Sequence, residues 1–131
     1  MILVDTCVLL DLFTADTQWL SWSKEQLEAH ASQGLAVSDI AFAELSPVFP
    51  SAEQALSVLG KMGISLLRPS PQALFLAGQA FIRYKQNRGT AKMILPDFLI
   101  GANAEAEHLT LLTRDLDRYQ TYFPAIQLIH P

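Results

Sequence analysis

One cysteine, Cys7, is all the chain contains, which leaves no partner for an internal disulfide and no spaced thiols for a structural zinc. A reducing compartment follows, and the chain is expected to be cytoplasmic. No apolar run is long enough to span a bilayer, and Met1-Ile2-Leu3-Val4 begins without a basic region or a cleavage site. Neither export nor membrane insertion is expected. Positive charge is scarce as well: nine Lys and Arg against thirteen Asp and Glu give a net charge of −4, which argues against a protein that coats nucleic acid non-specifically. Repeats, low-complexity tracts and linkers are missing too. A chain of 131 residues without them has room for one core, so a single domain over 1–131 is expected.

What is abundant is apolar surface, since half of the residues are hydrophobic. That exceeds what a monomer of this size needs for its interior, so part of it should face a partner. Short apolar runs alternate with helical periodicities, the pattern of βαβ units around a parallel sheet. Strands are expected at 2–4, 35–37, 64–67 and 109–113, with a further edge strand at 126–129. The first helix should cover 8–13 with Thr6 as its cap, and a long amphipathic helix should cover 16–32. Ser38 is placed to cap a helix over 39–45. Ser51 followed by Gln54 has the capping-box spacing for a helix carrying Ala55, Leu56, Val58, Leu59 and Met62 inward. A helix over 72–86 should turn Leu74, Phe75, Ala77, Phe81 and Ile82 to the core. Pro96 suits the first position of a helix that runs to Ala106, and a short helix should span 115–119.

Four acids punctuate this pattern. Asp5 follows the first strand, Glu44 lies on the helix after the second, Asp97 opens the late helix, and Asp115 follows the fourth strand. Open parallel sheets gather the ends of non-adjacent strands into one crevice, where ligands bind. Two like charges about 4 Å apart repel by roughly 4 kcal/mol at an effective dielectric near 20, so clustered carboxylates need protons or a divalent ion. Mg²⁺, with Mn²⁺ as a substitute, is the natural occupant of an all-oxygen site. Singly, each acid has a plainer reading as a cap, a turn residue or a solvated charge. The ordered set at strand ends is what points to a metal.

Asp-Thr after the first strand, Ala-Glu-Leu in an early helix, Leu-Pro-Asp-Phe-Leu-Ile-Gly-Ala-Asn-Ala heading a late helix, and Leu-Leu-Thr-Arg-Asp after a late strand resemble the motifs of PIN-domain ribonucleases. The similarity is to the VapC-type toxins of toxin–antitoxin pairs, and it covers the chain in length and order. It implies a three-layer α/β/α sandwich with a central, mainly parallel sheet of four or five strands. It also implies a Mg²⁺-dependent endoribonuclease that leaves a 5′-phosphate and a 3′-hydroxyl, with Asp5, Glu44, Asp97 and Asp115 as the acidic set. Asp5, Asp97 and Asp115 are then the expected metal ligands, and Glu44 the group for a metal water or a general base. Thr6 and Thr113 are expected as hydroxyl neighbours. The implied partners are RNA, a second copy of the chain and an antitoxin that covers the site, with operator DNA reached only through the antitoxin.

Asp117 is the alternative to Asp115, which is preferred because a position further along the short helix more often faces solvent. The segment 83–92 holds four of the nine basic residues, Arg83, Lys85, Arg88 and Lys92, and leads into Asp97. These are candidates for RNA phosphates, although a basic run after a helix is commonly a solvated loop. Arg114 is a further candidate, and both Arg114 and Arg118 flank Asp115 closely enough to pair with it or to grip substrate. Asp11 is expected in a local cap or salt bridge, and His30, His108 and His130 lack ligand spacing. Cys7 stands where Asn or Ser is common in the resembled family, so a hydrogen bond to the metal carboxylates is expected to be missing. Two rivals are a non-catalytic regulator acting through antitoxin and operator DNA, and a phosphoryl-transfer domain. The second needs paired acids after the first strand, which Asp5-Thr6-Cys7 does not supply.

Overall fold

The first strand, β1 (Ile2–Val4), is buried throughout and lies in the middle of the sheet. With β2 (Leu35–Ser38), β3 (Ile64–Leu67), β4 (Thr110–Leu112) and β5 (Leu128–Ile129), the sheet has the order β3-β2-β1-β4-β5, and every pairing is parallel. The structure is a computed structural model that describes residues 1–87 and 93–131. Parallel neighbours require crossovers, which helices supply. These are α1 (Thr6–Phe13), α2 (Leu20–His30), α3 (Asp39–Glu44), α4 (Ala52–Lys61), α5 (Pro71–Asn87), α6 (Leu95–Ala106) and α7 (Leu116–Gln120). The result is a three-layer α/β/α sandwich. Among the described residues, no helix is long and apolar enough to cross a membrane.

The central strands β1 and β2 are buried at every position, as their unbroken apolar runs require. At the edge, β3 leaves Ser65 and Leu66 exposed. Several helix details depart from expectation, beginning with α1, which starts at Thr6 and not at Val8. Asp5, not Thr6, caps α1, because its carboxylate reaches back to the Thr6 amide. Asp16 accepts hydrogen bonds from the Gln18 and Trp19 amides at 2.9 Å, a turn that delays α2 to Leu20. Leu95 precedes Pro96 as the first residue of α6. On α4, Leu56 points outward while Ala55 and Leu59 are buried.

The largest departure is on α5. Ala73, Ala77 and Ala80 face inward, and Leu74, Phe75 and Ile82 are 49%, 72% and 51% exposed. Small residues on the inner face let α5 lie close against α6, and at 100° per residue that choice turns the neighbouring large side chains out. Phe81 and Tyr84 sit at the edge of this contact. They join Phe98, Tyr122 and Phe123 in an aromatic cluster with ring centroids 5.3 to 6.2 Å apart. The cluster fixes the head of α6, where Asp97 precedes Phe98. Gly101 completes that fit, since a Cβ there would stand 2.5 Å from the buried Phe123 ring.

From β1 the chain moves out through β2 to β3, then returns to place β4 on the other side of β1. The reversal lies between β1 and β4. In an open parallel sheet the crevice at such a point, beyond the carboxyl ends of the strands, is the usual ligand site.

Candidate functional site

Asp5 follows β1 directly and is 2% exposed. As the cap of α1, its Oδ1 accepts from the Thr6 amide at 2.8 Å. Its Oδ2 accepts from Thr113 Oγ1 at 2.7 Å, a bond that closes the gap between the ends of β1 and β4. Cys7 Sγ donates to the same oxygen at 3.5 Å, so the contact expected to be missing at Cys7 is present, though long and weak. Burial, with the Asp5 charge next to it, pushes the Cys7 thiol up to about 12, which makes it a proton donor and not a nucleophile.

The other acids connect to Asp5 through hydroxyls and one arginine. Thr6 Oγ1 donates to Glu44 Oε1 at 2.8 Å, which draws α3 toward the end of β1. Thr113 Oγ1 accepts from the Asp115 amide at 3.0 Å, holding the turn after β4. Asp97 sits in the first turn of α6, where its Oδ2 accepts from the Ile94 amide at 2.9 Å. Its Oδ1 meets Arg118 Nη1 at 3.2 Å, while Arg118 Nη2 meets Asp115 Oδ2 at 3.0 Å. All four acids therefore belong to one connected network, with Thr6 and Thr113 as its hydroxyl links. Asp117 is exposed and forms no hydrogen bond among the described residues.

The electrostatics follow from burial and crowding. Desolvation raises the Asp5 pKa despite its three donors. Glu44 is raised too, first by burial and then by the charges of Asp5 and Asp97. Beside Asp5 lies the fully buried Tyr119 hydroxyl, which burial and the charges of Asp5 and Asp97 hold in its neutral form. It makes no hydrogen bond of ordinary geometry among the described residues. Tyr119 was not visible in the sequence as a member of the site, and its only signal is its place on the short helix after Asp115.

Of the expected basic residues, Arg83 and Lys85 are exposed on the last turns of α5, with the Lys85 ammonium 5.2 Å from the Phe81 ring centre. Arg88 and Lys92 lie outside the described residues. Arg114 turns away from Asp115 and makes a two-pronged pair with buried Asp11, Nε at 2.9 Å and Nη2 at 3.1 Å. Its guanidinium also lies 5.5 Å from the Trp19 ring centre. The anticipated salt bridge of Asp11 is thus this one, made across 103 positions. His30 and His130 contact main-chain carbonyls instead of the acids.

The PIN domain family pattern matches residues 2–124. The chain belongs to the PIN-domain family. No curated protein matches it. Solved structures share the PIN fold at low identity. One is VapBC2 from Rickettsia felis bound to a DNA fragment of its promoter, with 22% identity, a TM-score of 0.72, and coverage of 99% of this chain and 98% of that one. Another is VapBC-1 from nontypeable Haemophilus influenzae, with 19% identity, a TM-score of 0.73, and coverage of 99% and 98%. A third is VapC20 from Mycobacterium tuberculosis, described as a toxin that cleaves the sarcin-ricin loop, with 16% identity, a TM-score of 0.64, and coverage of 84% and 85%.

For a PIN domain the question is whether these residues suit a divalent cation. The donors are carboxylates and hydroxyls, the hard oxygens that Mg²⁺ and Mn²⁺ take. Among the described residues, four acids face one guanidinium in the network, an excess of negative charge that a divalent ion offsets. The buried Tyr119 hydroxyl beside Asp5 offers a hydrogen bond of the kind a hydrated ion uses. No three Asp, Glu, His or Cys side chains among the described residues close on one point, and Arg118 is the cation that Asp97 and Asp115 share. The donor chemistry fits the ion.

Proposed function

We propose that this PIN domain, a single nuclease domain over 1–131, is a Mg²⁺-dependent endoribonuclease and the growth-inhibiting toxin of a toxin–antitoxin pair. The observation that carries the reading is the hydrogen-bonded network joining Asp5, Glu44, Asp97 and Asp115 at the reversal point of the sheet. PIN domains are generally nucleases that use divalent metals. The solved VapBC complexes of the same fold support a cognate antitoxin as partner, and the promoter-bound one supports contact with operator DNA through that antitoxin. VapC20 supports RNA as the substrate.

Asp5, Asp97 and Asp115 would hold Mg²⁺, with Mn²⁺ as a substitute. When bound, the ion supplies charge stabilisation at the phosphate and an acidified water. Thr113 and the Thr6 amide hold the Asp5 carboxylate in one orientation, and Thr6 does the same for Glu44. Glu44 Oε2 makes no hydrogen bond among the described residues, and the raised pKa of the carboxyl moves it toward the range of a general base. Glu44 thus accepts a proton from the water that attacks phosphorus, the P–O3′ bond breaks, and the departing 3′-oxygen takes a proton from solvent, leaving a 5′-phosphate and a 3′-hydroxyl. Arg83 and Lys85 are exposed near the site-bearing helix and would contact RNA backbone, with Arg88 and Lys92 completing the basic segment. The exposed stripe of Leu74, Phe75 and Ile82 on α5 provides apolar surface for a second copy or for the antitoxin. The proposed setting is the cytoplasm.

The test is cleavage of total cellular RNA by the purified, antitoxin-free chain, with Mg²⁺ or Mn²⁺ against EDTA, beside Asp5→Asn and Asp97→Asn. Discrete metal-dependent cuts that disappear in both variants are expected. A folded protein that binds metal and cuts no RNA would favour the non-catalytic regulator acting through antitoxin and DNA.

A further inference from the structure

Among the described residues, Arg118 is the cation that enters the acidic network. It rises from α7 into the space between Asp97 and Asp115, one nitrogen 3.2 Å from the first and the other 3.0 Å from the second. Its side chain is 35% exposed, so a route to solvent is open. Partial burial disfavours the guanidinium charge, and the Asp97 and Asp115 carboxylates more than offset that cost. Two of the three proposed metal ligands are thereby engaged by a side chain of the protein itself.

We propose that Arg118 is an exchangeable internal cation: it bridges Asp97 and Asp115 when no metal is bound and competes with the divalent ion for both. This inference rests on the metal reading above and gives it a regulator. A single positive charge cannot neutralise two carboxylates, whereas a divalent ion can, and the ion also draws on Asp5, which no arginine contacts in the described structure. The ion must shed part of its hydration and displace the guanidinium before it settles. The Asp115 arm of the bridge, with side chains 35% and 41% exposed, is weak enough to be displaced at ordinary metal concentrations, and its release frees the guanidinium to leave the buried Asp97 as the ion arrives. Arg118 thus sets how much metal the domain needs, and it keeps the carboxylates apart in charge terms when metal is scarce. It is a positioning residue, since its effect on the reaction passes through the metal ligands.

Calorimetric titration of the metal-stripped chain of residues 1–131 with Mn²⁺, supported by the loss of free Mn²⁺ signal in electron paramagnetic resonance, tests this without reference to catalysis. Arg118→Gln is expected to bind Mn²⁺ about fivefold more tightly than the unmodified chain, with Arg118→Lys between the two. Arg68→Gln, which removes an exposed pair with Asp39, is expected to leave Mn²⁺ affinity unchanged. Circular dichroism and urea unfolding in EDTA establish that each variant is folded. Should folded Arg118→Gln bind Mn²⁺ equally or more weakly, the competition is overturned and Arg118 instead supports the ligands. Should no protein bind Mn²⁺, with Asp5→Asn indistinguishable from the unmodified chain, the metal reading itself fails and takes the inference with it.

Discussion

Arg114 and Arg118 leave the same short stretch after β4, and each meets a deeply buried aspartate, yet the two pairs are built to opposite ends. Around Asp11 the charges balance one to one. Arg114 grips both carboxylate oxygens, Ser23 Oγ adds a hydrogen bond at 2.7 Å, and Trp19 covers the guanidinium. Nothing is left for a ligand. Around Arg118 one cation is divided between Asp97 and Asp115, with Asp5 and Glu44 joined to the same network. A satisfied pair fixes a fold, whereas a pair with surplus negative charge is poised to exchange its cation.

Removing one charged group from each region separates the roles most sharply. Asp5→Asn or Asp97→Asn is expected to lower RNA cleavage by about 1,000-fold, roughly 4 kcal/mol at the barrier, with the fold intact. Single-turnover cleavage of a mapped RNA fragment measures it. On the structural side, Arg114→Ala leaves Asp11 buried without its counter-charge and should cost about 3 kcal/mol of stability, read by urea unfolding. Cleavage per folded molecule should persist. If Arg114→Ala instead left stability unchanged and lost cleavage, the division between the two pairs would be wrong.

A smaller effect comes from pH. The folded-state pKa of Glu44 is raised, by burial first and then by neighbouring Asp5 and Asp97, so the folded chain favours the protonated carboxyl. Such a group contributes stability below its unfolded pKa, about 4, and that contribution is lost as pH rises through the higher folded value. In EDTA, Glu44→Gln should therefore be more stable than the unmodified chain at neutral pH and indistinguishable from it near pH ~4. Urea titrations across that window check the sign. The smallest change is at Cys7, where serine offers a stronger donor to Asp5. Cys7→Ser should alter stability by less than about 1 kcal/mol and leave cleavage within about twofold.

Much of this arrangement was legible in the sequence because a parallel sheet makes position informative. An acid placed just after a central strand has little choice of location, so Asp5 and Asp115 could be brought to one edge from their strand neighbours alone. Asp97 followed from proline chemistry at the head of α6. The inward face of α5 was not legible, since periodicity gives two adjacent apolar arcs and the close approach to α6 selects the alanines over Leu74, Phe75 and Ile82. Nor was the sorting of the two arginines. Arg114 and Arg118 are separated by one helical turn's worth of chain, and only the finished packing sends the first to Asp11 and the second into the acids. Thr6 shows the same limit at the smallest scale. As a hydroxyl beside an aspartate it could cap α1, but Asp5 takes that task and frees Thr6 to hold Glu44.

The hydrogen bond from Thr113 to Asp5 spans 108 positions, and it gives the molecule an order in time. Synthesis delivers β1 first and lets it pair with β2 early, while the flank that receives β4 stays open until the distant segment emerges. Asp5, Glu44 and Asp97 all leave the ribosome before Thr113, Asp115 and Arg118. A growing chain thus carries an unclosed sheet and an incomplete set of acids, so the four-acid site is a product of sheet closure and not of any one segment.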